Sequence, residues 1–306
     1  MNYLITPNVT NSTGPLEISK SEYRFLRDAR KNILESVYLE EKLDLLLENF
    51  NEFECTALSI ASQHSVFSNL DYFSINFDRN LLSRRFVNLL SSGRMYLEHC
   101  IHHLENIYGI GHEYIECISK EKASKYDQYF GFRVMEAMRN YVLHQGLALH
   151  SLIVQFQNVG IGTDVQLLHR VVPKIKISTL AEDKSFKRNI ISELQSKYQQ
   201  DDIDIRPLLR EYFEAIGLIH LKIREVIEID YNNWDTSIGN QYSKFQNISG
   251  NETPVKSLEL IIINEEGKII ERLALLQEFS ERRRRLVSKN LSFQNLSKCF
   301  TTNQIN

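Results

Sequence analysis

Residues 78–108, DRNLLSRRFVNLLSSGRMYLEHCIHHLENIY, decide the fold class of this chain. Their apolar side chains recur at steps of three and four residues, the spacing that keeps one face of an α-helix apolar. The positions are Leu81, Leu82, Phe86, Leu89, Leu90, Leu97, Ile101 and Leu104. Gly109 and Gly111 follow, and glycine commonly ends a helix. The segment therefore predicts one long amphipathic helix.

The residues on either side continue the helical pattern. On the N-terminal side, the same spacing links Leu34, Val37, Tyr38, Leu43, Leu46, Leu47 and Phe50. On the C-terminal side, a helix is predicted over 114–145, broken near Gly131 and closed by Gly146. Residues 1–15 are polar and punctuated by two prolines and a glycine, which predicts a tail. We therefore expect a helical-bundle domain over residues 16–150.

The second half of the chain has a different pattern. The stretches 152–156 and 165–177 are rich in β-branched residues around Gly160 and Gly162, which predicts a β-hairpin. Further along, the pattern predicts helices over 185–199 and 207–229, followed by a polar loop over 230–256 that Trp234 anchors. After the loop it predicts a strand over 258–263, a turn over 264–267 and a last helix over 270–289. The chain is therefore expected to be mainly α, with a mixed α/β region over 151–306.

The composition narrows the function classes. A net charge of −3 excludes a general polyanion binder, so any contact with nucleic acid must come from a local basic patch. The four cysteines lie far apart without a C-x-x-C pair, which excludes a zinc knuckle or a redox dithiol and favours reduced thiols. No signal-peptide pattern is present, and apolar runs such as 260–263 are too short to cross a membrane. We therefore expect a cytoplasmic protein without a membrane contact.

The segment 131–146, GFRVMEAMRNYVLHQG, carries the candidate site. On a helix, one stripe of this segment is apolar and contains Phe132, Met135, Met138 and Val142. A second stripe is polar and contains Arg133, Glu136, Asn140 and His144, with Arg139 between the two stripes. Because Asn140 and His144 are four residues apart, their side chains are neighbours on the helix. The segment thus offers a basic, an acidic, an amide and an imidazole side chain on one side of a helix. Arg139 and His144 are five residues apart, so their Cβ vectors diverge, and they could reach one phosphate only through the length of the arginine or fraying near Gly146.

The stretch from Arg139 through Asn140 to His144, RNYVLH, resembles the R-x(4–6)-H motif of the HEPN superfamily, including the polar residue after the arginine. The resemblance covers the motif helix and, loosely, the bundle over 20–150. It implies a helical bundle, commonly dimeric, that acts as a metal-independent endoribonuclease in toxin–antitoxin, abortive-infection or CRISPR systems. No cofactor is implied; RNA, a second copy and an antitoxin or inhibitor protein are the implied partners. Gln145 and Gly146 depart from members that carry a tyrosine after the histidine.

The residue types suit cleavage of RNA without a metal ion. His144 can transfer a proton near neutral pH, and Arg139 offers a fixed cationic fork to phosphate oxygens. Asn140 could orient the imidazole or the phosphate, with Glu136 and Arg133 in support. One imidazole cannot easily serve both sides of the scissile phosphate, and two copies of the chain would supply two.

Two rival interpretations remain open. A non-catalytic HEPN-type module could bind RNA or a protein, or the motif could be accidental in a structural protein. The motif with a polar second residue is expected about 0.25 times by chance. A second match, Arg94 to His99, has Met95 after the arginine and fails that test.

Two other clusters of charged and histidine side chains are weaker candidates. The run Arg282, Arg283, Arg284 and Arg285 could bind RNA phosphates or could be a solvated helix end. His99 and His103 have the spacing of a zinc helix, but no third ligand is evident. We therefore expect no metal site.

Overall fold

The computed structural model describes residues 1–7, 14–67, 71–144, 146–159, 166–184, 186–249, 255–291, 295–299 and 301. Within these ranges, the helices are α1 (Lys20–Val66), α2 (Tyr72–Tyr108), α3 (Glu113–Gln128), α4 (Phe130–His144), α5 (Ile177–Glu182), α6 (Arg188–Lys197), α7 (Arg206–Ser249) and α8 (Glu278–Lys289). The strands are β1 (Asn2–Pro7), β2 (Leu16–Glu17), β3 (Ser151–Val159), β4 (Gln166–Lys176), β5 (Asp202–Asp204), β6 (Leu258–Ile263) and β7 (Ile269–Leu275). The predicted mainly α class, with a β-hairpin, is confirmed.

Contacts divide the chain into two compact units, each assembled from separated segments. Unit 1 combines residues 1–42, 99–118 and 222–291, and unit 2 combines 43–98, 119–221 and 292–306. Each unit therefore draws on both sides of residue 150, where the sequence predicted a boundary. Long helices explain the difference, because α1, α2 and α7 each contribute to both units.

Unit 1 is built on an antiparallel sheet with the strand order β2-β1-β6-β7. Its first strand occupies residues that the sequence predicted as a tail. Ile5 lies opposite Leu260 in the sheet, and both side chains are fully buried. The tail prediction failed over residues 2–7 because the partner strand lies some 250 residues away, where no local pattern reveals it.

Helix α7 continues through most of the predicted loop, and Trp234 lies within it rather than in a loop. Its buried apolar residues follow helical steps of three and four: Tyr231, Trp234, Ile238, Tyr242 and Phe245. They form one core with Tyr23 and Leu26 of α1 and with Leu258 of the sheet. Polar residues between these positions hid the helical spacing. Residues 250–254 of the predicted loop lie outside the described residues.

The predicted strand over 258–263 and the turn after it are confirmed, and Gly267 has a positive φ of 79° that favours glycine. The last predicted helix is wrong in its first part, because residues 269–275 form β7. That strand pairs with β6 along its length, and its last residue, Leu275, is fully buried. Helix α8 begins only at Glu278. Pairing with a buried strand has overridden a local preference for helix.

Unit 2 contains the second sheet, with the strand order β3-β4-β5. Strands β3 and β4 are the predicted hairpin, although Gly160 and Gly162 lie outside the described residues. One face of the sheet is buried through Leu152, Val171, Ile175 and Ile203. The helix predicted over 185–199 is confirmed as α6, and the short α5 that precedes it was not predicted.

Helix α4 lies in unit 2 and carries the candidate site. The helical break falls at Tyr129, between α3 and α4, and Gly131 is buried inside α4. A Cβ at Gly131 would lie 2.2 Å from the Leu208 carbonyl oxygen of α7, so only glycine permits this close approach. The predicted apolar stripe is buried at Phe132, Met135 and Met138. The apolar side of α4 is thus buried in unit 2, and the opposite, polar side carries the candidate site residues.

Candidate functional site

The first turn of α4 is held by polar contacts. The Gly131 N–H donates to Glu211 Oε2 at 2.8 Å. Arg133 donates through Nη1 to the Asp127 carbonyl oxygen of α3 at 2.5 Å and through Nη2 to Glu193 Oε2 of α6 at 2.6 Å. Its guanidinium also faces the Phe130 ring. Arg133, predicted to support the site, therefore ties α4 to its neighbours.

One turn later, Glu136 is a mostly buried acceptor. Arg94 Nη1 donates to Glu136 Oε2, and the Tyr212 hydroxyl donates to Glu136 Oε1, each at 3.1 Å. Burial, followed by the Glu136 carboxylate, raises the pKa of Tyr212 well above its ordinary value. The arginine of the rejected second motif match thus holds a carboxylate of the candidate motif helix. Each carboxylate oxygen of Glu136 therefore already accepts a hydrogen bond from one of these two residues.

Arg139 and Asn140 form a local pair near the end of α4. Arg139 Nη1 donates to Asn140 Oδ1 at 3.0 Å. Arg139 is half-buried and Asn140 is exposed. Over the ranges that the structure describes, Arg139 makes no ion pair with a carboxylate. Its guanidinium therefore has a neutral partner at a partly exposed position.

His144 is the last residue of α4, and its side chain is exposed. Asn140 and His144 stand on the same polar side of the helix, one turn apart. The structure thus leaves all three motif side chains, Arg139, Asn140 and His144, at least partly open to solvent at one helix end.

The chain leaves α4 through a buried anchor. The Tyr141 hydroxyl lies 3.2 Å from His150 Nε2, and the Lys176 N–H donates to His150 Nδ1 at 2.8 Å. Burial, followed by the nearby charge of Lys176, lowers the pKa of His150. Gly146 packs so closely on Tyr141 that a Cβ there would lie 2.2 Å from the Tyr141 hydroxyl oxygen. The anchor holds the motif-bearing end of the helix against β4.

A cleft of about 440 Å³ opens beside Asn140 and Glu136. We call it the α4 cleft and define it by Arg94, Lys122 and Lys187 together with Asn140 and Glu136. Lys122 Nζ donates to the Leu97 carbonyl oxygen, and Lys187 Nζ donates to the Tyr126 hydroxyl. In the described ranges, neither lysine is paired with a carboxylate. The cleft therefore places two uncompensated cations next to the motif amide.

The arginine run on α8 is arranged differently. Arg283 is buried, 3.9 Å from Glu40 and stacked over the Tyr231 ring. The other three are exposed, and each pairs with a carboxylate: Arg282 with Glu41, Arg284 with Asp235 and Arg285 with Glu281. The four side chains point around the helix rather than to one surface.

The histidines of α2 are held by ordinary contacts. His103 Nδ1 lies 2.7 Å from Glu35 Oε2, and its ring meets His99 edge to face. Among the residues described, no three His, Cys, Asp or Glu side chains are grouped to hold a metal ion. The four cysteines form no disulfide. In the same residues, no helix combines the length and apolar character needed to cross a membrane.

The structure thus groups some predicted site residues and separates others. Arg139, Asn140 and His144 share one helix end in unit 2, whereas the arginine run belongs to unit 1. Sequence reasoning missed Lys122 and Lys187, because they come from segments about 65 residues apart and match no motif. Comparisons of the chain with models of protein families, with curated proteins and with solved structures gave no match.

Proposed function

We propose that this protein is a metal-independent endoribonuclease of the HEPN type, working in the cytoplasm in bacterial defence or toxin–antitoxin growth control. The observation that carries the proposal is the state of Arg139. Its partner is the neutral Asn140 amide rather than a carboxylate, and His144 is exposed on the same helix end. A guanidinium without a carboxylate partner and an accessible imidazole at one helix end are the two groups needed to bind and cleave a phosphodiester.

The proposed reaction uses the RNA's own 2′-hydroxyl. The His144 imidazole accepts the proton of that hydroxyl while its oxygen forms a bond to phosphorus. Arg139 stabilises the charge that develops on the phosphate oxygens. The bond to the 5′-oxygen breaks, and that oxygen receives a proton from an acid. The products are a 2′,3′-cyclic phosphate and a 5′-hydroxyl. DNA lacks the 2′-hydroxyl and is not a substrate.

The missing acid is the reason to propose a homodimer, in which the second copy supplies its own His144. An exposed apolar surface supports this. Val66 and Phe67 at the end of α1 and Tyr72, Phe73 and Phe77 at the start of α2 are each 61–82% exposed. We call these five residues the apolar tip. Together they expose about 600 Å², against about 800 Å² per partner in a standard interface.

The charges around the apolar tip favour a second protein surface over RNA or a membrane. Residues 43–78 contain no lysine or arginine, the side chains that anionic partners attract. Arg79 Nη1, just after Phe77, donates to the His150 carbonyl oxygen at 3.4 Å, and His150 contacts Tyr141 of the motif helix. The start of α2 is therefore linked through Arg79 and His150 to the end of α4 that carries the motif.

The test is incubation of purified protein with total RNA, with and without a chelator. We expect cleavage that persists with the chelator and falls by a factor of about 10² or more in His144→Ala. His102→Ala, which removes an exposed histidine from another helix, is the matched control and should cleave normally. Equal cleavage by the two variants would overturn the proposal, as would cleavage of an all-2′-deoxy substrate.

Sedimentation velocity tests the two-copy requirement on the same samples. The intact chain should sediment as a dimer, and Phe73→Ser should shift it towards monomer because it removes the most exposed aromatic ring of the tip. Ile229→Ser, which changes an exposed apolar residue of unit 1, is the control. A dimer that Phe73→Ser leaves intact would exclude this surface.

A binding function without cleavage is the second candidate. The observation that favours it is the lining of the α4 cleft, which includes Asn140 and two uncompensated lysines but not His144. In that case the chain would retain RNA, or an antitoxin-like inhibitor protein, without cutting. Binding that survives His144→Ala, with no cleavage by either protein, would establish this alternative. Toxicity on expression, relieved by His144→Ala, would support the nuclease.

A further inference from the structure

A second concave surface lies in unit 2, away from the motif residues. It is a groove of about 480 Å³ between the outer face of the β3-β4-β5 sheet and the C-terminal end of α6. We call it the sheet groove and define it by Arg170, Lys174, Lys197, Tyr198 and Val172. Arg170, Val172 and Lys174 are spaced two residues apart along β4, so all three side chains lie on the same face of the sheet.

The groove has an apolar floor and amides along its walls. Val172 is buried although it faces outward from the sheet, because the end of α6 covers it. Tyr198 is half-buried there, and burial raises the pKa of its hydroxyl, which therefore stays protonated at neutral pH. Gln155, Gln199 and Gln200 are exposed on the lining. Each amide offers both a donor and an acceptor to a ligand.

The charges of the groove are unbalanced. In the described ranges, Arg170, Lys174 and Lys197 have no carboxylate partner, and Lys197 Nζ only lies over the Phe130 ring at 4.3 Å. Of the two acids of the lining, Asp204 is paired with Arg206 at 2.6 Å. Asp202 accepts only a hydrogen bond from the neutral Ser151 hydroxyl at 3.4 Å and keeps its negative charge. Three cations therefore stand against one carboxylate without a cationic partner.

Arg170 differs in this respect from most arginines of the molecule. Most arginines with a described contact, including Arg210, Arg224 and Arg272, pair with a carboxylate. In a chain with a net charge of −3, three cations without carboxylate partners in one groove form a local positive field. Such a field attracts an anion with several charges spaced along its length.

We propose that the sheet groove binds the backbone of single-stranded RNA, with Arg170, Lys174 and Lys197 on phosphates of one strand and the glutamine amides on base edges. The choice of RNA rests on the proposed function; the positive field rests on the groove alone. The groove is too small for an A-form duplex, which is about 20 Å across, whereas one or two nucleotides fill it. The groove would hold substrate RNA at a distance from the cleavage site.

The experiment measures binding of the full-length protein to a short fluorescent oligonucleotide with 2′-O-methyl groups, which the proposed chemistry cannot cleave. The test variant is Arg170→Glu/Lys174→Glu/Lys197→Glu. The matched control, Lys20→Glu/Arg24→Glu/Lys256→Glu, makes the same change in net charge at exposed positions of unit 1. Circular dichroism verifies that both variants are folded.

Three phosphate contacts predict that the logarithm of the binding constant falls with the logarithm of salt concentration at a slope of about −2 for a single strand. The groove variant should bind at least about tenfold more weakly and show a flatter slope. The control should resemble the natural chain. Equal weakening of both variants would overturn the inference, because it would reflect net charge alone. Stronger competition by a nucleoside triphosphate than by unlabelled oligonucleotide would overturn it too.

Cleavage kinetics separate this inference from the proposed function. If both hold, the groove variant raises KM for RNA while kcat stays close to that of the natural chain. If the natural chain binds the oligonucleotide through the groove but cuts no RNA, only the nuclease proposal fails. If it cuts RNA and the groove variant has the same KM, only the groove inference fails.

Discussion

The end of α4 and the arginine run of α8 carry the same kind of side chain in opposite situations. At the end of α4, Arg139 is half-buried and its hydrogen-bond partner is an amide. On α8, Arg283 is buried beside Glu40, and its three neighbours each have a carboxylate partner. The run holds four guanidinium groups, and each of them lies near a carboxylate.

The difference shows that the partner, rather than the number of arginines, decides what an arginine can do. A guanidinium paired with a carboxylate must give up that partner before it can bind a phosphate. A buried guanidinium such as that of Arg283 must also be exposed to solvent, which removes it from its stacking on Tyr231. Arg139 faces neither cost, because an amide is a weaker competitor for phosphate than a carboxylate is.

The comparison predicts its largest effect on RNA cleavage. Arg139→Ala should lower kcat by a factor of about 10²–10³, since in the proposed reaction it removes the group that stabilises the developing charge. Arg285→Ala, which removes the most exposed arginine of the run, should cut at the natural rate. Cleavage rates under saturating RNA measure both. Arg139→Lys, which keeps the charge but loses the planar fork, should fall between them.

The free energy of unfolding of Arg139→Ala shows whether a lower cleavage rate comes from lost chemistry or from a weakened fold. Arg139→Ala should leave the free energy of unfolding within about 0.5 kcal/mol of the natural value, as for most surface substitutions. A larger loss would mean that Arg139 supports the fold, and the contrast with the arginine run would disappear.

The next largest effect is on the free energy of unfolding. Here a substitution in the arginine run of α8 should cost more than one at the end of α4. Arg283→Ala should lower the free energy of unfolding by about 2–3 kcal/mol, because it removes a buried cation near Glu40 and its stacking on Tyr231. The bidentate contact of Arg224 with Glu40 remains and limits the loss. RNA cleavage per folded molecule should not change. Denaturant unfolding measures the first quantity, with Arg285→Ala as the control. A loss equal to that of the control would show that Arg283 does not stabilise the fold.

Helical spacing is what the sequence reveals most reliably here. The apolar stripe of α4, with Phe132, Met135 and Met138, was predictable because it depends on one segment alone. Strands β1 and β7 were not, since a strand is defined by a partner that can lie anywhere in the chain. The extension of α7 through Trp234 lay between these cases: its spacing was regular, but polar residues masked it.

The candidate site also combines features that one segment determines with features that depend on distant parts of the chain. The spacing of Arg139 and His144 placed them near one helix end, but it could not tell which arginine would have a carboxylate partner. Lys122 and Lys187 join the α4 cleft only through folding. The fate of the arginine run was partly foreseeable, because consecutive helical residues differ by about 100° and four of them cannot share one face.

The smallest effect concerns pH and the anchor behind the motif. Folded His150 has a lowered pKa because of burial and the nearby charge of Lys176, whereas in the unfolded chain it titrates near 6.5. Above pH 6.5 both states hold a neutral imidazole, and the full stability is present. As the pH falls below 6.5, the unfolded state takes up the proton first, and stability is lost until the lowered folded pKa is passed.

Protonation would also replace the acceptor Nδ1, which receives the Lys176 N–H, with a donor. The end of α4 should therefore loosen in mild acid before α8 does, since α8 is held by arginines that stay charged. Amide hydrogen exchange at about pH 7.5 and about pH 5.5 measures this for both helices. His150→Asn, whose side-chain oxygen can still accept from Lys176, should remove most of the dependence. The nearby Asp201 and Asp202 oppose the shift, so the effect is modest. Equal loosening of α8 would mean that the acid response belongs to the whole protein, and the anchor would then not distinguish the motif end from the arginine run.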